Sequence, residues 1–197
     1  MEVGAAGLND SQIEIIESHR LEVEDAVPAT FKVDWRNLTF QTLLGSGTFG
    51  DCYKGSLRRK DVAIKKMRAG LIDLDGFRAF CREVIVLSSL DHENIVSFVG
   101  YTLHPALLII MDFVPGGTLK SYIKCHTVEE GALTPSSILK ILIGCASGLN
   151  YLHSMQPMPI LHRDIKSENI LLDEDHKPLL ADLGEARAMA INKTSES

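Results

Sequence analysis

The sequence predicts an α+β chain, and three patterns predict it. From Trp35 to Met111 short apolar runs alternate with turn signals; a single helical stripe interrupts them after Phe77; and from Thr134 the apolar spacing becomes helical over a longer stretch. The 197 residues are 45% hydrophobic, enough for a buried core. Formal net charge is -6, from 20 Lys and Arg against 26 Asp and Glu. Eight of those acids and two of those bases lie in the first 34 residues, which leaves 18 of each sign beyond them. The excess charge is therefore confined to an acidic extension, residues 1–34. A neutral body has no broad basic surface for phosphate backbones, so nucleic acid is not an expected partner.

The extension shows one element. Ser11 and Glu14 have capping-box spacing, and Ile13, Ile16, Arg20 and Val23 recur at three or four residues, which predicts a short acidic helix ending before Pro28. Its charge and terminal position read as a solvated leader that packs loosely or not at all. The start MEVGAAG has no basic, apolar secretory character, and Glu2 occupies the position where myristoylation needs glycine. The longest aliphatic run, Ala106–Met111, is far below the ~20 residues of a membrane helix. Cys52, Cys81, Cys125 and Cys145 show no CxxC or Cys/His spacing of a zinc site. A reduced, cytoplasmic chain with no membrane association is expected.

Leu38–Leu44 reads as a strand that enters GSGTFG, Gly45–Gly50, and a second strand follows through Cys52 and Tyr53. A dinucleotide fingerprint should open a helix at that point, and a P-loop needs Lys and Ser or Thr where Asp51 and Cys52 stand. Neither pattern fits. A strand, glycine turn and strand instead let backbone amides approach a polyphosphate, since glycine has no side chain to hold it away. After the polar corner Leu57–Lys60, a third strand, Val62–Met67, carries Lys65 within an apolar run, where a buried ammonium needs an anionic partner. Phe77, Phe80, Val84 and Leu87 form one helical stripe, and Glu83 lies at its edge. Glu83 is the candidate partner of Lys65.

Ile95–Thr102 and Ala106–Met111 read as two further strands, and the turn-rich Asp112–Gly117 reads as a hinge between lobes. Thr134 and Pro135 form an N-cap and first-turn pair, followed by Ile138, Leu142, Cys145, Leu149 and Leu152 as the predicted buried face of a long helix. Then come HRDIKSEN, His162–Asn169, a strand at Ile170–Leu172, a polar turn, Leu179–Ala181 and Asp182-Leu183-Gly184. Singly, Asp164 could form a turn, Asn169 cap one and His162 sit in a core.

Together, GSGTFG, VAIKKM, LDHENIV, HRDIKSEN and ADLGEAR, in this order from about Trp35 to Arg187, resemble a eukaryotic protein kinase domain of the tyrosine-kinase-like group that includes the Raf and mixed-lineage kinases. The resemblance implies a protein kinase-like α+β fold: a complete N-lobe of twisted antiparallel sheet plus one helix, residues 35–114 with the hinge, and an incomplete helical C-lobe, residues 115–197. It implies transfer of the ATP γ-phosphate to Ser or Thr hydroxyls of proteins, with ATP and Mg2+ as cofactors. By resemblance, Gly45, Ser46, Gly47 and Gly50 cover the ATP phosphates. Lys65 holds the α and β phosphates and Glu83 orients it. Asp164 accepts the substrate hydroxyl's proton, with Lys166 in the serine/threonine-directed pattern, and Asn169 and Asp182 ligate magnesium. Adenine is placed against Cys52, Val62, Ala63 and Leu172, with backbone groups of Asp112 and Val114 and with Met111 as gatekeeper.

Two residues depart from the family pattern: Cys52 stands for the usual valine and Leu183 for the phenylalanine of DFG. The APE element and the large helical end of the C-lobe are absent from the sequence, which predicts an apolar face left open on the long helix, a place for a protein partner. The alternative reading is a nucleotide-binding regulatory fragment or pseudokinase without transfer activity. Thr194, Ser195 and Ser197 lie where activation-loop phosphorylation occurs in the family.

Overall fold

The computed structural model describes residues 8–128 and 134–188, so Thr194, Ser195 and Ser197 lie outside the described residues. The chain forms two compact units, Met1–Leu90 with Ser97–Phe113, and Asp91–Val96 with Val114–Ser197. Each carries part of the expected α+β arrangement.

The first unit begins with helices α1 (Asp10–His19) and α2 (Leu21–Glu24). Strands β1 (Leu38–Ser46), β2 (Gly50–Leu57) and β3 (Lys60–Met67) follow, then helix α3 (Leu74–Ser88), then β4 (Phe98–Thr102) and β5 (Leu108–Asp112). The five strands form one antiparallel sheet in the order β1-β2-β3-β5-β4. Arg58 and Arg59, with φ of 50° and 71°, make the two-residue turn between β2 and β3.

The two-residue period of the strands gives the sheet two chemically different faces. Val62, Ile64, Leu108 and Ile110 point to one and form a buried core with Leu38, Phe40 and Leu57 against it. Their neighbours Ala63, Lys65 and Met111 point to the other, with Cys52 opposite Lys65 and Ala63 opposite Met111. Helix α3 has Asp73 as its N-cap and buries Phe77, Phe80, Val84 and Leu87, the predicted stripe, together with Cys81 and Glu83.

The acidic extension is not loosely attached. Its capping box is built by Asn9 and Gln12, two residues before the predicted Ser11 and Glu14, because Asn9 takes the extended backbone of an N-cap. Ile16 and Val23 are 0% exposed and Val27 2%. The Gln12 amide donates to the Ala69 carbonyl at 2.6 Å, and the Val33 amide donates to the Tyr101 carbonyl on β4 at 2.9 Å. Burial of the aliphatic side chains outweighs the acidic composition, since most of the acids sit on the outer face and several are paired. Glu24 bonds Arg20 and Lys32, and Glu17 bonds His104.

The second unit contains helices α4 (Leu119–Val128) and α5 (Pro135–His153), and strands β6 (Ile160–Leu161), β7 (Ile170–Leu172), β8 (Pro178–Leu180) and β9 (Arg187–Ala188). Strand β7 pairs with β8 and β6 with β9. Thr134 caps α5 by accepting from the Ser137 amide at 3.1 Å, as its sequence predicts.

The face that α5 buries agrees with the predicted one at Leu152 and departs from it toward the N-terminal end of the helix. Ile141, Gly144, Gly148 and Leu152 are inside, whereas Ile138 and Leu142 are 41% and 60% exposed. The two glycines explain the shift. A Cβ on Gly144 would meet Pro178 at 2.4 Å, and one on Gly148 would meet the Asn94 carbonyl and Leu180 at 2.9 Å. The helix seats where it lacks side chains, and aliphatic periodicity gives glycine no weight. Ile138, Leu139, Leu142 and Ile143 consequently lie exposed on this helix. Among the described residues no helix is long and apolar enough to cross a membrane.

Candidate functional site: a glycine loop with a buried ion pair, and an Asp-Lys-Asn loop

The functional residues of the first unit converge on the Lys65 face of the sheet. Strands β1 and β2 flank the GSGTFG loop, which closes on itself through a bond from the Gly47 amide to the Gly50 carbonyl at 2.8 Å. Ser46 and Asp51 are cross-strand partners at its mouth. The Asp51 carboxyl is held below the ordinary carboxylate range by a hydrogen bond from Ser46, with Arg68 adding to the effect. The glycines divide by surroundings. A Cβ on Gly45 would meet nothing within 4 Å, and one on Gly47 only the Gly50 carbonyl at 3.7 Å, whereas on Gly50 it would lie 2.2 Å from the Lys66 carbonyl. Gly50 is therefore required by sheet packing. The open space at Gly45 and Gly47 fits a ligand approached by backbone alone.

Lys65 Nζ donates to Glu83 Oε1 at 2.6 Å, and the two side chains are 18% and 9% exposed. The sequence-derived pairing of strand lysine and helix glutamate is present. Met111 and Ala63 are each 9% exposed and lie side by side in the sheet, while Cys52 is half-buried opposite Lys65. Val62, expected against adenine, instead belongs wholly to the core on the other face. The Asp112 amide is committed to the Ser97 carbonyl at 3.0 Å, and its carboxylate accepts from Lys60 at 2.7 Å. Cys81 is buried in α3, and that burial pushes its thiol up to about 12, so it is inert as a nucleophile.

In the second unit the loop His162–Asn169 is held by its own side chains. His162 is 2% exposed; its Nε2 donates to the Ala181 carbonyl at 3.1 Å, and its Nδ1 faces the Asp164 amide at 3.4 Å, an arrangement that suits the neutral imidazole. Burial lowers its pKa and keeps it neutral. The Ala181 amide in turn donates to the Asn169 carbonyl at 2.9 Å, which sets Asp182 beside the loop. Asp182 and Arg163 have φ of 59° and 69°, left-handed conformations that a rigid frame must impose on residues other than glycine.

Asp164 accepts at Oδ2 from Lys166 at 2.6 Å and from Asn169 Nδ2 at 2.8 Å. The Lys166 bond is the larger cause, and together these hold the Asp164 carboxyl below the ordinary aspartate range. Lys166 is correspondingly raised by Asp164. A second bond from Asn169 Nδ2 goes to the Asp164 carbonyl at 3.0 Å, so the amide nitrogen is spent on the loop. Asn169 and Asp182 then offer an amide oxygen and a carboxylate, hard donors suited to magnesium.

Val114 is 9% exposed in this unit. Leu172, expected beneath adenine, is 0% exposed and has no surface to offer. Its neighbour Leu171 lies on the opposite face of β7 and is only half-buried. Counting Ile170 and Leu172 as the buried pair would have singled out Leu171 from the sequence.

Residues 38–197 match the family model of the protein tyrosine and serine/threonine kinases. The chain is 40% identical over 167 residues to serine/threonine-protein kinase TNNI3K of Mus musculus, covering 82% of this chain and 19% of that protein. It is 34% identical over 161 residues to serine/threonine-protein kinase STY46 of Arabidopsis thaliana, covering 81% and 27%. Probable serine/threonine-protein kinase PBL21 of the same plant is 38% identical over 154 residues, covering 77% and 40%. The chain thus spans well under half the length of these relatives. With its glycine loop, its lysine-glutamate pair and its HRDIKSEN loop in the family's order, the chain belongs to the protein kinases, in their tyrosine-kinase-like group.

Proposed function

We propose that the chain carries ATP-dependent phosphoryl transfer to serine and threonine hydroxyls of a protein substrate. The observation that carries this reading is the Lys65–Glu83 pair at 2.6 Å on the same sheet face as a glycine loop with open space at Gly45 and Gly47. Phosphoryl transfer asks little covalent work of a protein, so positioning and charge are the tasks. Backbone amides of Gly45, Ser46, Gly47 and Gly50 cover the phosphates. Lys65, oriented by Glu83, holds the α and β phosphates. Ala63, Cys52, Met111 and the backbone of Asp112 and Val114 take the adenine, with Leu171 in the place first given to Leu172. Asn169 and Asp182 hold magnesium, which when bound supplies the positive charge that neutralises the phosphates. Asp164, kept ionised by Lys166 and Asn169, accepts the proton of the acceptor hydroxyl.

Lys166 on Asp164 and the serine/threonine names of the relatives favour Ser and Thr over Tyr as acceptor. The open face of α5 is the proposed seat of a protein partner, and a cytoplasmic location accords with ATP as cosubstrate.

The test is radiolabel transfer from γ-labelled ATP to a mixed Ser, Thr and Tyr protein acceptor, followed by phosphoamino-acid analysis. Label on Ser and Thr, abolished by Lys65→Met, is the expected result. MgATP binding without transfer would favour the regulatory-fragment reading, and label on Tyr alone would overturn the acceptor assignment.

A further inference from the structure

We propose that the N-terminal helices α1 and α2 are a positioning strap for α3, and that through α3 they hold Glu83 on Lys65. The inference rests on the phosphotransfer reading for its functional consequence, though not for its geometry. Three observations carry it, all within the first unit.

The first is the width of the buried face of α3. At about 100° per residue, Cys81 and Glu83 lie roughly 160° apart around the helix, with Phe77, Phe80, Val84 and Leu87 between them. All six are buried. One flat neighbour covers an arc narrower than this, so the helix has a neighbour on each flank. On the Glu83 flank stands Lys65. On the Cys81 flank stands the extension: α1 and α2 both contact α3, Glu22 pairs with Arg78 at 3.7 Å, and the charge of Glu22 acts on Cys81.

The second is the anchoring of the segment that leads into α3. Gln12, itself 8% exposed, donates its amide to the Ala69 carbonyl at 2.6 Å. Ala69–Leu71 form a single tight turn, and the Leu71 carbonyl would be 1.9 Å from a Cβ on Gly76 in the first turn of α3. From Gln12 to the N-terminus of α3 the connection is thus close-packed.

The third is that the extension is fixed at its other end to the sheet that bears Lys65. Val33 bonds Tyr101, and the Phe31 and Phe98 rings lie 5.1 Å apart. Ile16, Val23 and Val27 are buried between these two anchorages in sequence. A segment secured to the sheet and to α3 limits how far the helix can swing from the sheet, which is the movement that would part Glu83 from Lys65.

Gln12, Ile16 and Val23 are positioning residues in this account, and none touches the nucleotide. The test is a double-mutant cycle on the full chain, combining Val23→Asp with Glu83→Gln and reading MgATP affinity and transfer rate. Val23→Asp alone is expected to weaken MgATP binding and transfer by about tenfold, Val23→Ile to restore both, and Val23→Asp to add almost nothing once Glu83 is Gln. Equal fold-losses with and without Glu83→Gln would overturn the strap, since general damage to the fold is additive. Should Val23→Asp fail to fold, Gln12→Ala is taken through the same cycle with the same criterion. Amide hydrogen exchange over residues 77–87 supplies an arm independent of nucleotide: faster exchange in Gln12→Ala is expected, and unchanged exchange contradicts the strap. Absence of MgATP binding by the unaltered chain would instead defeat the phosphotransfer reading, leaving the exchange result to decide the docking of α1 and α2 on α3.

Discussion

Two lysine-carboxylate pairs in this chain have the same length and different surroundings. Lys65–Glu83 and Lys166–Asp164 are each 2.6 Å, but the first pair is 18% and 9% exposed and the second 49% and 31%. Distance alone therefore does not describe either. In the largely buried pair the two charges neutralise each other away from bulk water, so the pair locks a strand to a helix. In the wet pair water substitutes readily, and the interaction tunes a carboxylate without holding up the fold.

The largest break in this comparison is Glu83→Gln, which leaves the Lys65 ammonium buried beside a neutral amide. Stability is expected to fall by about 3 to 5 kcal/mol, as for other buried pairs stripped of one partner, read by denaturant unfolding. Lys166→Ala is expected to leave the unfolding midpoint unchanged while transfer falls. An equal loss of stability in both variants would erase the distinction.

A second contrast separates the glycines within one loop. Gly50→Ala forces its Cβ against the Lys66 carbonyl, for a cost of about 1 to 3 kcal/mol typical of overpacking. Gly47→Ala meets no such atom and is expected to weaken MgATP binding with the unfolding midpoint unchanged. Calorimetric titration beside thermal unfolding checks both.

How much of this was legible in the sequence depends on what each helix packs against. In α3 the aliphatic stripe and Glu83 were read correctly, because the helix buries large side chains and an ion whose partner is apparent in VAIK. In α5 the same method selected Ile138 and Leu142, which are exposed, because Gly144 and Gly148 make the contact and no hydrophobic scale counts them. The strands show a related limit. Val62 and Ala63, or Leu171 and Leu172, are similar in type, and only the phase of the pleat decides which faces the core. In the extension, net charge points to a loose leader while the spacing of Ile16 and Val23 points to a packed face, and the packed face prevails. The Lys65–Glu83 and Asp164–Asn169 contacts, by contrast, were written in motif order.

The smallest expected effect belongs to His162. Burial lowers its pKa from the ordinary 6.5, so as the pH falls the unfolded chain takes up this proton before the folded chain does. The contribution of His162 to stability is thus complete above that value and is lost as the pH drops below it. Unfolding free energies measured across this range should show a steeper acid decline in the unaltered chain than in His162→Gln; parallel curves would contradict a buried neutral imidazole.

The most direct test of the central claim is magnesium-dependent transfer of the γ-phosphate by the unaltered chain, measured beside Lys65→Met and Asp182→Asn. One substitution lies in each unit, and neither residue can replace the other. The account predicts that both variants fold and that each lowers the transfer rate by at least about a thousandfold, the scale at which charge-stabilising groups act in phosphoryl transfer. Transfer that survives either substitution would contradict it.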